Sequence, residues 1–179
     1  GPVRALGERP PALDGDGSVV AFENGSPGSG SMVLVHDLSS STTVVANVKP
    51  DGAIAADTAW RPSLSADGRF VAFDSWSADL VEGDANEFQD VFVRDLVAGT
   101  TSRVSVAEHG GEAAEGAWLA TLSADGSTVA FASSSSDLVA DDTNRRSDIF
   151  VRDLRSGEVR RVSVATDGTQ ANGESTQPA

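Results

Sequence analysis

The apolar positions of this chain fall in short β-branched and aromatic runs separated by polar, turn-forming residues. In its middle third the runs are Pro62-Ser63-Leu64-Ser65, Arg69-Phe70-Val71-Ala72-Phe73, a segment around Val91-Phe92-Val93, and Ser102-Arg103-Val104-Ser105-Val106. Runs of this length and composition predict four strands. Ala66-Asp67-Gly68 between the first two is hairpin chemistry, because glycine takes positive φ freely. Ala98-Gly99 separates the last two. No segment of a dozen residues keeps apolar side chains at i, i+3, i+4 and i+7, so no helix is predicted.

The four-strand pattern is copied. Leu64-Ser65-Ala66-Asp67-Gly68 returns as Leu122-Ser123-Ala124-Asp125-Gly126, a period of 58 residues. Val71-Ala72-Phe73 returns as Val129-Ala130-Phe131, and Asp90-Val91-Phe92-Val93-Arg94-Asp95-Leu96 as Asp148-Ile149-Phe150-Val151-Arg152-Asp153-Leu154. Arg103-Val104-Ser105-Val106-Ala107 matches Arg161-Val162-Ser163-Val164-Ala165. A more divergent copy comes first: Leu13-Asp14-Gly15-Asp16-Gly17, Val20-Ala21-Phe22 and Met32 to Leu38. It is seven residues shorter, with Gly25–Gly30 replacing a longer loop. The predicted organisation is a leader over 1–12, with Gly1-Pro2 in the form of a protease scar, then units over 13–63, 64–121 and 122–179. Such a scar leaves a removed signal peptide open.

Four antiparallel strands per unit of this size is the pattern of a propeller blade. The Ser-Ala-Asp-Gly, Val-Ala-Phe and Asp-(Val/Ile)-Phe-Val-Arg-Asp segments resemble the TolB-type, PD40 (WD40-like) β-propeller repeat, from about Pro11 onward. The resemblance implies an all-β propeller, a bacterial periplasmic or secreted setting, and service as an interaction scaffold or as an appendage to an enzyme. Family propellers commonly have six or more blades, and only three are present here. A blade buries its faces against its neighbours, so three blades leave two open ends. Three outcomes are compatible: two chains closing a six-bladed ring about a two-fold axis, a piece of a longer propeller, or a monomer with shielded ends. The expectation is the first, a half-propeller acting as a non-catalytic binding or scaffolding module for a protein or carbohydrate. The alternative is a hydrolase or lyase with carboxylates at the channel.

Composition narrows the chemistry. With 13 Lys+Arg against 27 Asp+Glu the net charge is −14, which opposes binding to a phosphate backbone. The unit over 64–121 carries most of that charge, eleven acids against three bases. No apolar stretch approaches the roughly 20 residues of a membrane span. Zero cysteines exclude disulfides and thiol nucleophiles, and zero tyrosines exclude a sialidase nucleophile.

Asp84-x-Asn86-x-x-x-Asp90 recurs as Asp142-x-Asn144-x-x-x-Asp148. Alternating oxygen side chains in a loop suit Ca²⁺; they equally suit Asx turns that cap loop amides. Calcium is the only cofactor suggested. Asp37, Asp95 and Asp153 repeat in every unit, which predicts a structural role. Trp60 and Trp118 share a repeat position, predicted just before the first strand, where an aromatic stacks on a sugar or peptide or packs between blades. Thr176 holds that position in the third unit. His36 and His109 have no counterparts and no motif that would make either a base.

Overall fold

The computed structural model describes residues 10–25, 30–108 and 110–178. Among them are twelve strands and no helix. The strands form three four-stranded antiparallel sheets, each in sequential order. The first holds β1 (Ala12–Leu13), β2 (Val19–Gly25), β3 (Ser31–Asp37) and β4 (Thr42–Val45). The second holds β5 (Ala59–Leu64), β6 (Phe70–Ser75), β7 (Asp90–Asp95) and β8 (Thr100–Arg103), and the third β9 (Ala117–Leu122), β10 (Thr128–Ser133), β11 (Asp148–Asp153) and β12 (Val159–Arg161). These are three propeller blades. Strand positions shift from the sequence reading at two places. The first strand of the middle blade starts at Ala59, before Pro62, and the fourth ends at Arg103. Trp60 and Trp118 therefore lie inside β5 and β9, not ahead of them. His109, the leader up to Arg9 and the loop residues 26–29 fall outside the described residues.

The turns form as their side chains dictate. In the β5–β6 hairpin Asp67 accepts from Ser65 Oγ at 2.6 Å and from the Arg69 amide at 3.1 Å, while Gly68 takes φ 67°. Asp125 and Gly126 repeat this before β10. At the turn between the third and fourth strands, Asp95 accepts the Val97 and Ala98 amides, both at 2.9 Å. Asp37 and Asp153 do the same in their blades. The repeated aspartates are turn builders.

Each interface between blades joins two unlike faces. Ala21, Val33, Val35 and Ala46 of the first blade pack on Leu64, Val71, Phe73 and Phe92 of the second. Ala72, Val91, Val93 and Val104 of the second pack on Leu122, Val129, Phe131 and Phe150 of the third. The paired phenylalanines stack across their strands with centroids 5.9 Å apart in both blades. Small and β-branched residues on one side accommodate large side chains on the other, the alternation that fills a core without voids.

The hairpins also interlock. A β-carbon on Gly126 would stand 2.5 Å from Phe70 Cδ2, so this turn needs glycine for space as well as for its φ of 66°. Gly126→Ala is therefore expected to cost about 2–4 kcal/mol, combining left-handed backbone strain with overpacking. Urea unfolding followed by tryptophan fluorescence would read this as a lower midpoint at unchanged slope.

Candidate functional site

Two clusters of buried ion pairs stand out among the described residues, and both lie where blades or their loops meet. At the inner edge, β5 and β9 each carry a bulge, placed by register shifts between Trp60 and Ser63 and opposite Ala130–Ala132. The bulged residues Arg61 and Leu119 have φ of 57° and 61°. The bulge turns backbone amides of one blade toward the preceding blade. Arg61 N donates to Glu23 at 2.9 Å across the first interface, and Leu119 N to Asp74 at 2.9 Å across the second. Asp74 is fully buried. It also accepts from Arg61 Nη1 at 2.9 Å, Gln89 Nε2 at 3.2 Å and the Ala120 amide at 3.4 Å. Burial outweighs these donors and pushes its pKa up to about 6.

An open groove of about 560 Å³ runs beside these bulges, lined by Pro62, Leu119, Thr121 and the far segment at Gln177 and Pro178. Arg61 supplies its cationic group. Trp60 and Trp118, half-buried, sit opposite Asp74 and Ala132 in their ladders and are not part of the groove wall. Thr176 is exposed.

The second place is the pair of Asp-x-Asn loops. Asn86 Oδ1 caps the Phe88 amide at 2.9 Å, and its Nδ2 reaches Asp90 at 3.2 Å and the Ala113 carbonyl at 3.3 Å. Asp90 is also the acceptor of the Ser105 hydroxyl. Arg103 enters from the end of β8. Its Nη1 lies 3.0 Å from Asp84, 3.6 Å from Asp90 and 3.0 Å from Glu112. Burial, and after it the neighbouring carboxylates of Asp90 and Glu112, raise the pKa of Asp84 to about 6, and that of Asp90 is raised by burial too.

The third blade repeats the design with changed partners: Asp141 stands where the second blade has Gly83, and Gln170 where it has Glu112. Asn144 caps Arg146 N at 2.8 Å and contacts Asp148 and the Ala171 carbonyl. Arg161 reaches Asp141 at 3.3 Å and Asp142 at 3.6 Å. Gln170 stands in the place of Glu112 and donates to Asp142 at 2.7 Å.

In both loops a guanidinium thus stands among the carboxylates, where a calcium loop would hold its cation. Among the described residues no group of three or more His, Cys, Asp or Glu has the arrangement to hold a metal ion. The Asx-turn reading accounts for Asn86 and Asn144 directly.

Arg103, Arg161, Glu112, Gln170 and Asp74 were not singled out as site residues by sequence. The signal was present: Arg103 and Arg161 open the repeated Arg-Val-Ser-Val segment, 13 residues after Asp90 and Asp148. His36 contributes no site chemistry; its Nδ1 pairs with Thr43 Oγ1 at 2.8 Å on the surface.

By sequence, the chain matches no family model and no curated protein. By structure it is similar to TolB from Acinetobacter baumannii, with a TM-score of 0.54 at 18% identity, covering 85% of this chain and 31% of that one. It is similar to a putative TolB from Agrobacterium tumefaciens, with a TM-score of 0.54 at 17% identity, covering 87% and 50%. The tricorn protease is similar as well, at 0.54 and 18%, covering 93% of this chain and 15% of that one. The chain spans 31% and 50% of the lengths of the two TolB structures. With three sequential four-stranded blades matching at this level, the chain has the TolB-type β-propeller fold.

Proposed function

We propose that the chain is a non-catalytic binding or scaffolding module whose three blades complete a six-bladed ring with a second copy, in a periplasmic or secreted setting. One observation carries this reading. Leu64 and Leu122 are each 8% exposed because a preceding blade covers them, whereas Leu13, at the same repeat position, is 59% exposed. At the other end Val162, the counterpart of the buried Val104, is 47% exposed. Each open end presents aliphatic surface of the kind that the internal interfaces bury, and contiguous apolar surface of this sort marks an association site.

The non-catalytic part of the reading rests on how the carboxylates are used. The two with strongly raised pKa, Asp74 and Asp84, are both bound by arginine. Neither offers a free carboxyl to a substrate. The groove beside Arg61 is the proposed ligand surface, for a protein segment or a carbohydrate.

Light scattering after size exclusion tests the assembly. The expected mass is twice the 18.4 kDa chain, and a mass of one chain at micromolar concentration would overturn the ring.

A further inference from the structure

The open ends carry more than apolar surface: they carry the two unlike halves of a blade interface. The first blade exposes the face that receives, with Leu13 and Val20 paired across β1–β2 and Phe22 and Leu34 paired across β2–β3. These match Leu64, Val71, Phe73 and Phe92 of the buried interface in position. The third blade exposes the opposite face, Ala130, Ile149, Val151 and Val162, where its predecessors bury Ala72, Val91, Val93 and Val104. Leu34 is smaller than the phenylalanines it replaces, and Ile149 is larger than Val33 and Val91. The two changes offset each other only if these faces meet.

The hairpins give a register. Val19 of the first blade lies over Gly68 of the second, where a β-carbon would stand 2.8 Å from Val19 Cγ2; Phe70 of the second lies over Gly126 of the third. The next knob in the series is Thr128 and the next slot is Gly17, which has nothing within 4 Å of a β-carbon among the described residues. A backbone ladder runs alongside. Gly15 N donates to Ala66 O at 2.9 Å and Ala66 N to Ala124 O at 2.7 Å. The following rung would be Ala124 N to Gly15 O, and among the described residues the Ala124 amide has no backbone acceptor.

We infer that, resting on the ring proposed above, the third blade of one chain packs on the first blade of its partner, with Thr128 seated over the partner's Gly17 and the Ala124 amide donating to the partner's Gly15 carbonyl. This seam differs from the internal interfaces in one respect. Ala132 occupies the position of Glu23 and Asp74, so no carboxylate reaches across. The first strand of the partner's first blade offers Pro10 and Pro11 where Leu119 and Ala120 donate to Asp74, and proline has no N–H. Acceptor and donor are lost together, which leaves a seam held by apolar packing and hairpin contacts.

Because the chain has no cysteine, a paired substitution reads the contact directly. Gly17→Cys with Thr128→Cys, oxidised with copper phenanthroline, is expected to give a covalent two-chain species on a non-reducing gel. Val19→Cys with Gly68→Cys is the internal control, with β-carbons 3.1 Å apart by the same geometry, and it should close within one chain. Thr128→Trp, which overfills the slot while Gly17 stays unsubstituted, should weaken the dimer at least tenfold while leaving the β-sheet circular dichroism intact. A two-chain mass with no 17–128 cross-link, under oxidation that closes the control, would overturn the register and leave the ring standing. Cross-linking by Thr128→Cys alone would overturn it as well, since it places third blade on third blade. A one-chain mass would overturn both.

Discussion

Replacing Arg103 with methionine is expected to destabilise the protein by about 3–5 kcal/mol at neutral pH, the cost of breaking a buried ion pair by removing one partner. The Arg103 side chain is 8% exposed, and the Asp84 and Asp90 side chains are more deeply buried still. Methionine fills similar volume but leaves three acids facing one another with no cation. Their response is to bind protons. The loss should therefore shrink as pH is lowered from 7.5 to 5, because Asp84 and Asp90, whose pKa values are already raised, then carry less charge. The same change at Arg161 is expected to cost less. Gln170 there is neutral, and Asp141 is largely exposed. Urea unfolding of both variants at the two pH values checks this. Equal losses at both sites, or a loss at Arg103 that does not depend on pH, would show that the carboxylates are not what the guanidinium serves.

Asp74→Ala is expected to cost a comparable 3–5 kcal/mol, since it strips the acceptor from the Leu119 amide and from the guanidinium of Arg61 at once. Pro62 and the positive φ at Arg61 and Leu119 hold the bulges in shape, so the freed donors cannot easily turn elsewhere.

The wild type's pH dependence has a definite sign. Asp74 titrates near 6 in the folded chain against an ordinary value of 3.8, so between those values the folded state binds the proton that the unfolded chain releases. Stability from this group falls as pH rises from about 4 to about 6. Asp95 and Asp125 act in the opposite direction. Hydrogen bonds from Arg69 and from Ser123 lower both to about 2, so their contribution is present above 3.8 and is lost as pH falls toward 2. Thermal unfolding should thus peak between pH 4 and 5, and Asp74→Ala should flatten the decline on the alkaline side of that peak.

Repetition made most of the fold legible from the chain alone. A period of 58 residues, Asp-Gly hairpins and alternating runs such as Val91-Phe92-Val93 specify four strands per unit, because turn chemistry and the two-residue period of a strand are local properties. Asp37, Asp95 and Asp153 were readable for the same reason: each bonds to amides two or three residues on. The loop residues Asp84, Asn86 and Asp90 were visible as a group, but the counter-charge to the two acids was not. Arg103 reaches them from another strand, and Glu112 from the hairpin beyond it.

Asp74 was hidden more completely. Its side chain looks like an interruption of an apolar strand until the next blade, 45 residues later, delivers the Leu119 amide to it. The start of β5 at Ala59 was missed because Arg61 and Pro62 break the strand pattern at a bulge that only the neighbouring carboxylate explains. Hairpins, strand number and blade repeats were thus determined by sequence, since they depend on neighbours along the chain. Which faces are buried, which acids are neutralised and which of three equivalent leucines stands exposed were decided by tertiary structure, because each depends on whether another blade lies against it.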